Sequence, residues 1–390
     1  MNSIRKEPTY KRFITGPIKR FDEANTGYSR ADRGEITGPG EGLEQGIKKN
    51  LGENIPGFRH EDYALTCAGR AIDTLVRKKV YSKTDFDRRW GIPEGKKLTG
   101  IDPGKMSEKV KLVGRWFGAS LVGISELNPL WLYSHWGDHN AKLAGTFNAG
   151  DPIELPKEYK YVVVMAMEMD YIDVQRSPAV CPSIDLGYSK MAFTATSVAE
   201  LIRNLGYRAI PSGNDMGLTI PLGVDAGLGE LGRNGLLITE YFGPRVRLCK
   251  VFTDLPLEPD EPIDLGVQHF CEICGKCAQQ CPGNALRRGE RTDQPMDIST
   301  NPGFLKWPVH SGKCLSWWHK SGTAGCANCI RVCPFNKPPG APHKFVRGVL
   351  KRTSLFDWLL LKGDDVMGYG KQKIRETPSE KSLGKGALRS

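Results

Sequence analysis

No run of about 18 consecutive apolar residues occurs anywhere in the 390-residue chain, which excludes a bilayer-spanning helix. The longest apolar stretches, Tyr161 to Met167 and Trp358 to Leu361, read as a buried strand and one turn of apolar helix. A secretory signal is missing too: Met1 to Lys19 is polar and basic, carries Pro8 and Pro17, and leads into no apolar segment. Adjacent arginines occur only at Arg88-Arg89 and Arg287-Arg288, far inside the chain. The protein is therefore expected to be cytoplasmic, or a mature form whose leader has been removed. What is present is ordinary for a soluble globular protein: 39% hydrophobic and 25% charged residues, in a length that accommodates two or three domains. The net charge of +11 favours an anionic neighbour such as lipid headgroups, an acidic redox partner or nucleic acid. No aromatic–basic interleaving suggests RNA stacking, so nucleic acid is not expected.

Of the 11 cysteines, 8 lie between residues 271 and 333. The first run is Cys271-x2-Cys274-x2-Cys277-x3-Cys281-Pro282; the second is Cys326-x2-Cys329-x3-Cys333-Pro334, with Cys314 upstream. Three cysteines at such short spacing crowd a single tetrahedral zinc ion, whereas a cubane offers iron corners that a short loop can wrap. In two-cluster ferredoxins the fourth cysteine of a run ligates the other cluster. That rule assigns Cys271, Cys274, Cys277 and Cys333 to one [4Fe–4S] cluster. It leaves Cys281, Cys326, Cys329 and the nearby Cys314 for the second. Cys67, Cys181 and Cys249 share no ligand spacing and are expected to be small buried hydrophobes.

Two clusters conduct single electrons, so the rest of the chain must supply their terminus. Glu61 to Lys78 reads as a helix within an irregular N-terminal layer. Val110, Val113 and Phe117 form a helical pattern leading into the apolar run Leu121 to Ile124, and His135 to Pro152 reads as a loop. After Gly187-Tyr188-Ser189-Lys190-Met191 comes an amphipathic helix with Met191, Ala195, Val198, Ile202 and Leu205 on its apolar face, closed by Gly206. A short strand follows at Arg208 to Ile210, then a turn at Gly213-Asn214-Asp215. Gly227 to Gly232 matches the dinucleotide fingerprint on paper, but Pro221 precedes it and no helix follows. A loop that lets backbone approach a large flat cofactor suits it better.

These residues, together with Gly243 to Asp260 and Asp364-Asp365-Val366-Met367-Gly368-Tyr369-Gly370, resemble the corrinoid-dependent reductive dehalogenases. The likeness runs over about residues 105 to 375 and includes Cys314 ahead of Trp317. It implies an α/β (α+β) fold: a nitroreductase-like core holding a base-off corrinoid, joined to a bacterial-ferredoxin-type domain with two [4Fe–4S] clusters. The expected parts are an N-terminal layer at 1–104, a core at 105–265 with an insertion at about 128–158, a cluster domain at 266–345 and a returning segment at 346–390. The chain lacks the Asp-x-His-x-x-Gly motif of other corrinoid proteins; Asp138-His139 is the nearest approach. By resemblance, Gly227, Gly229, Gly232, Arg233 and Asn234 contact the corrinoid, and the cluster using Cys281 and Cys314 lies nearer cobalt.

Replacing carbon–halogen by carbon–hydrogen takes two electrons and a proton. Tyr188 suits the proton donor, because a phenol with a pKa near 10 stays protonated until carbon demands it. Arg247 stands as the cation that stabilises the phenolate, and Asn214 holds the tyrosine or the halogen. The implied substrate is a small organohalide, with a chlorinated alkane or alkene as the guess. Implied partners are a low-potential electron donor and a small membrane-anchor protein on the outer face of the cytoplasmic membrane, reached by twin-arginine export. Trp90, Trp116, Trp131, Trp317 and Trp318 are candidates for pocket walls. Two other readings are an epoxyqueuosine reductase acting on tRNA and a non-catalytic electron carrier. The first shares the core and clusters but uses an aspartate where Tyr188 stands; the second leaves the residues before the cysteines without a purpose.

Overall fold

The structure, a computed structural model, describes residues 6–36, 39–80, 97–323, 325–338, 340–375 and 378; Trp90 and the Arg88-Arg89 pair lie outside them. A helical layer, α1 (Gly27–Asp32), α2 (Pro39–Gly52) and α3 (His60–Val80), precedes α4 (Pro103–Trp116), β1 (Leu121–Glu126), α5 (Asp138–Ala144) and β2 (Tyr161–Glu168). Then come α6 (Tyr171–Val174), α7 (Pro182–Asn204), β3 (Ala209–Ser212), α8 (Thr219–Asp225), β4 (Gly229–Leu231), β5 (Leu237–Thr239) and β6 (Val246–Thr253). The cysteines lie on and between α9 (Val267–Cys274), α10 (Lys276–Gln279), α11 (Ser311–Ser321) and α12 (Asn328–Arg331), followed by α13 (Ala341–Leu350) and α14 (Asp357–Val366).

Four strands form an antiparallel sheet in the order β1-β2-β6-β3, and β4 and β5 form a separate hairpin. Strand side chains alternate between faces, and both faces of β2 are covered. Val163, Met165 and Met167 pack with Val198, Ala199 and Ile202 of α7, while Val162 and Val164 pack with Leu222 and Val224 of α8. That is why the Val-Val-Val-Met-Ala-Met run is apolar without alternation. Each fully buried Val or Met side chain contributes about 1.5–3 kcal/mol of hydrophobic stabilisation.

Two helices differ from the sequence reading for the same physical reason. Helix α7 begins at Pro182, so Tyr188 lies within it rather than ahead of it. Its N-terminus has no local side-chain cap; the carboxylate of Asp173 accepts from the Ser183 amide at 2.7 Å instead. Helix α5 occupies part of the expected His135–Pro152 loop, and Glu23 accepts from the Gly137 amide just ahead of it at 2.9 Å. A cap supplied from far along the chain leaves no local signature. One cysteine reading is corrected: Cys181 and Cys249 are buried as expected, but Cys67 is exposed. It falls off the packed face of α3 that runs through Asp62, Thr66 and Asp73.

The β4–β5 hairpin joins the sheet to the cluster region through a buried carboxylate. Glu230 is fully buried, and its Oε2 accepts from the amides of Leu265 at 2.6 Å and Val267 at 3.1 Å, where α9 begins. Burial, reinforced by the charge of Asp264, pushes its carboxyl up from 4.5 to about 7 despite those two donors. A raised carboxyl favours the folded state at low pH, and this contribution is lost as pH rises from the unfolded value through about 7. Wild type should therefore lose stability relative to Glu230→Gln on going from about pH 5 to about pH 8, by a few kcal/mol at most. Thermal unfolding of the two proteins at both pH values checks this; a pH-independent difference contradicts it.

Candidate active site

Tyr188 on α7, Asn214 after β3 and Arg247 on β6 come together. The Asn214 Nδ2 donates to the Tyr188 hydroxyl oxygen at 3.2 Å, and the Arg247 guanidinium carbon lies 4.9 Å from the Tyr188 ring centroid. Gly187 explains part of this approach: a Cβ there would sit 2.7 Å from Arg247 Cγ, so only glycine lets the arginine stem lie against α7. Arg247 Nε is buried and has no hydrogen-bond partner among the described residues.

Asn214 is held from behind. Lys250 is fully buried, and its Nζ donates to the carbonyls of Gly213 at 2.7 Å and Asp215 at 2.9 Å and to the Thr219 hydroxyl at 3.0 Å. Burial pushes its ammonium down to about 8, against the pull of Asp215, Cys249 and Glu23. Arg247 opposes Met167 and Lys250 opposes Val164 across β2, so the two cations point to opposite faces of the sheet.

The N-terminal layer supplies groups that no motif marked. Arg70 of α3 places its guanidinium carbon 4.0 Å from the Tyr188 ring centroid, paired with Asp185 at 2.8 Å and Asp73 at 2.9 Å. Tyr28 of α1 stacks on His139 at 4.9 Å and meets Trp318 edge-on at 6.4 Å. It keeps 39% of its surface accessible. Even so, burial pushes its hydroxyl above the ordinary phenol range, with Tyr188, Arg247, Arg70 and Cys314 among the charges acting on it. The buried Arg247 Nε, without a partner among the described residues, is a donor that a polar group of a cofactor beside Tyr188 would satisfy. Among the other tryptophans, Trp131 is core, donating to Asp225 at 2.8 Å, and Trp116 is exposed.

The eight cysteines divide into two sets. Cys333 is influenced by Cys271, Cys274 and Cys277, and these four line one cavity beside Phe270 and Phe335. Cys314 is influenced by Cys326 and Cys281, and Cys329 by Cys326, Cys314, Cys277 and Cys281. Burial pushes the thiols of Cys271, Cys277 and Cys314 up to about 12. Thiolates in so dry a setting need positive charge at the sulfur, which irons at each corner of a cubane supply. Backbone amides also reach the sulfurs: Ala285 donates to Cys281 Sγ at 3.3 Å and Asn328 to Cys326 Sγ at 3.4 Å.

The 227–234 loop is used differently from the expectation. A Cβ on Gly227 would sit 2.5 Å from the Glu261 carbonyl, and one on Gly229 2.2 Å from the Ile238 carbonyl, so these glycines admit protein backbone. On Gly232 a Cβ would meet Asn234 and Ile238 at 2.8 Å. Arg233 donates to the carbonyls of Cys271 at 2.9 Å and Gly289 at 2.7 Å, and Asn234 to that of Cys329 at 3.4 Å. The loop grips the cluster region.

Residues 270–336 match the family described as a 4Fe-4S double cluster binding domain. The tetrachloroethene reductive dehalogenase of Sulfurospirillum multivorans is 35% identical over 372 residues, covering 83% of this chain and 73% of that protein. The chain belongs to the reductive dehalogenase family. Its counterpart from Dehalobacter restrictus is 39% identical over 297 residues, covering 67% of this chain but 54% of that protein. The chain thus spans about half the length of some curated relatives it matches. A solved structure titled "Reductive dehalogenase structure suggests a mechanism for B12-dependent dehalogenation" shares the fold, with a TM-score of 0.70 at 23% identity over 95% of this chain and 49% of that one. As in its family, this chain carries a double iron–sulfur cluster domain.

If Cys314 completes the second set, Cys314→Ala should cost that cluster alone. Iron per chain should fall from about eight towards four, with the other cluster's paramagnetic resonance signal unchanged. Unaltered iron content would remove Cys314 from the ligands.

Proposed function

We propose that this chain carries out reductive dehalogenation of a small organohalide. A carbon–halogen bond is replaced by carbon–hydrogen, consuming two electrons and one proton and releasing one halide. The observation that carries the reading is the convergence of Asn214 and Arg247 on Tyr188. The relatives' names support tetrachloroethene and similar chlorinated ethenes as the substrate class.

A corrinoid held beside Tyr188 would supply low-potential cobalt as the electron source. Tyr28 and Trp318, which meet edge-on at 6.4 Å, are the residues that would wall it. Gly227, Gly229, Gly232, Arg233 and Asn234 would act on it through the cluster region that they hold. The thiolates of Cys271, Cys274, Cys277 and Cys333 hold one cluster and those of Cys281, Cys314, Cys326 and Cys329 the other. By the family resemblance, the second would be the nearer to the reaction site.

The proton sits on Tyr188 Oη. Asn214 donates to that oxygen and keeps doing so once it is a phenolate, when the bond becomes charge-assisted and stronger. Arg247 stabilises the same negative charge and cannot itself release a proton under working conditions. A low-potential donor feeds electrons singly, and the +11 net charge suits a peripheral position on an anionic membrane face beside a small anchor protein.

Tyr188→Phe should lower kcat for chlorinated ethene reduction by a factor of about 100 or more, with cluster and corrinoid content unchanged. Turnover at the wild-type rate would remove Tyr188 from the proton step.

A further inference from the structure

The reaction site contains a second cation that belongs to none of the family motifs. The Arg70 guanidinium carbon is nearer the Tyr188 ring centroid, at 4.0 Å, than that of Arg247 at 4.9 Å. Two carboxylates aim it. Asp73 lies three residues on along α3 and accepts from Nε at 2.9 Å; Asp185, one turn before Tyr188 on α7, accepts from Nη1 at 2.8 Å. The pairing fixes the plane of the guanidinium, so that it lies against the ring rather than extending into solvent.

Joining α3 to α7 does not require this arginine. The two helices already meet at Gly69, where a Cβ would sit 3.0 Å from the Leu186 amide nitrogen. Ser189 bridges them as well, donating to the Gly69 carbonyl at 2.5 Å and accepting from the Asp73 amide at 3.2 Å. Close backbone packing brings α3 onto α7, and Arg70, the residue after Gly69, is thereby delivered to the tyrosine.

We propose that Arg70 is a positioning residue of the reaction site, held by Asp73 and Asp185 so that charge on Tyr188 is shared between two guanidinium groups. The proposal rests on the reading of Tyr188 as proton donor and deepens it. A cation over an aromatic face attracts the neutral ring and attracts a phenolate far more, so Arg70 makes the tyrosine a stronger acid. Burial works against the charge on Arg70, but Asp185, Tyr188 and Asp73 outweigh it and hold the guanidinium protonated. Among the described residues, the charged and titratable groups around the tyrosine include Asp73 and Arg70 from α3, Asp185 from α7, Arg247 from β6, Tyr28 from α1 and, through Tyr28, Cys314 from α11. Asn214 adds a neutral donor.

The test is the ionisation midpoint of Tyr188 itself, read in the cluster- and corrinoid-loaded protein by ultraviolet resonance Raman of tyrosinate. Subtracting the corresponding Tyr188→Phe protein isolates its signal from Tyr28. Arg70→Gln keeps a donor for Asp185 and should raise the midpoint by about one pH unit, moving the alkaline limb of kcat with it. Arg70→Lys should restore at least half of that shift. Arg70→Met removes the charge but keeps an apolar stem; it should raise the midpoint as Arg70→Gln does, and it serves if Arg70→Gln does not fold. A midpoint that stays put in both variants, or that Arg70→Lys leaves as high as they do, overturns the proposal. If Tyr188→Phe turns over normally while the midpoints shift as stated, the proton-donor reading fails and the Arg70 assignment stands. An inactive Tyr188→Phe with fixed midpoints overturns Arg70 alone.

Discussion

Strand β6 carries a cation on each face of the sheet, and the candidate site depends on both. Lys250 on one face is wholly removed from water and is tolerable only because three oxygens accept from it. Those oxygens belong to the 213–219 loop, so satisfying the lysine fixes the loop and with it Asn214. Arg247 on the other face reaches Tyr188 across Gly187. Just ahead of the strand, Arg245 is buried between Glu168 at 2.5 Å and Asn336 at 3.0 Å, a residue of the cluster region. One strand thereby sets the amide, the guanidinium and the seam to the clusters in a common frame.

The cluster region is held by the same economy of buried polar groups. Arg233 spends its guanidinium on backbone carbonyls beside the cysteines, and Glu230 starts helix α9. Lys276 binds Asp364 at 2.5 Å and Asp365 at 2.7 Å, and Lys337 also binds Asp364, which ties the closing Asp-Asp motif to the peptides around Cys277 and Cys333. Breaking one partner of such a buried pair is costly because the other is left uncompensated. Their neighbours therefore resist rearrangement.

Local chemistry decided which parts were legible in the sequence. The cysteine spacing reads directly, because a cubane demands short loops, and the Val162 to Met167 run reads directly because both of its faces are buried. Tyr188, Asn214 and Arg247 were reached through family resemblance, and the fold does bring them together. The start of α7 was hidden because Asp173, outside the helix, does the capping. The glycines at 227 and 229 looked like a cofactor cradle, but their neighbours are the carbonyls of Glu261 and Ile238. Arg70 and Tyr28 left no signal, since only the packing of the N-terminal helices onto α7 brings them to the tyrosine.

The central claim is that electrons delivered to this chain are consumed in cleaving a carbon–halogen bond. Anaerobic counting of chloride against oxidised viologen tests it, using cluster- and corrinoid-loaded protein with a chlorinated ethene. One chloride should be released, and one carbon–hydrogen bond formed, for every two viologen radicals oxidised. Viologen oxidation by the fully loaded protein with no chloride released would contradict the account.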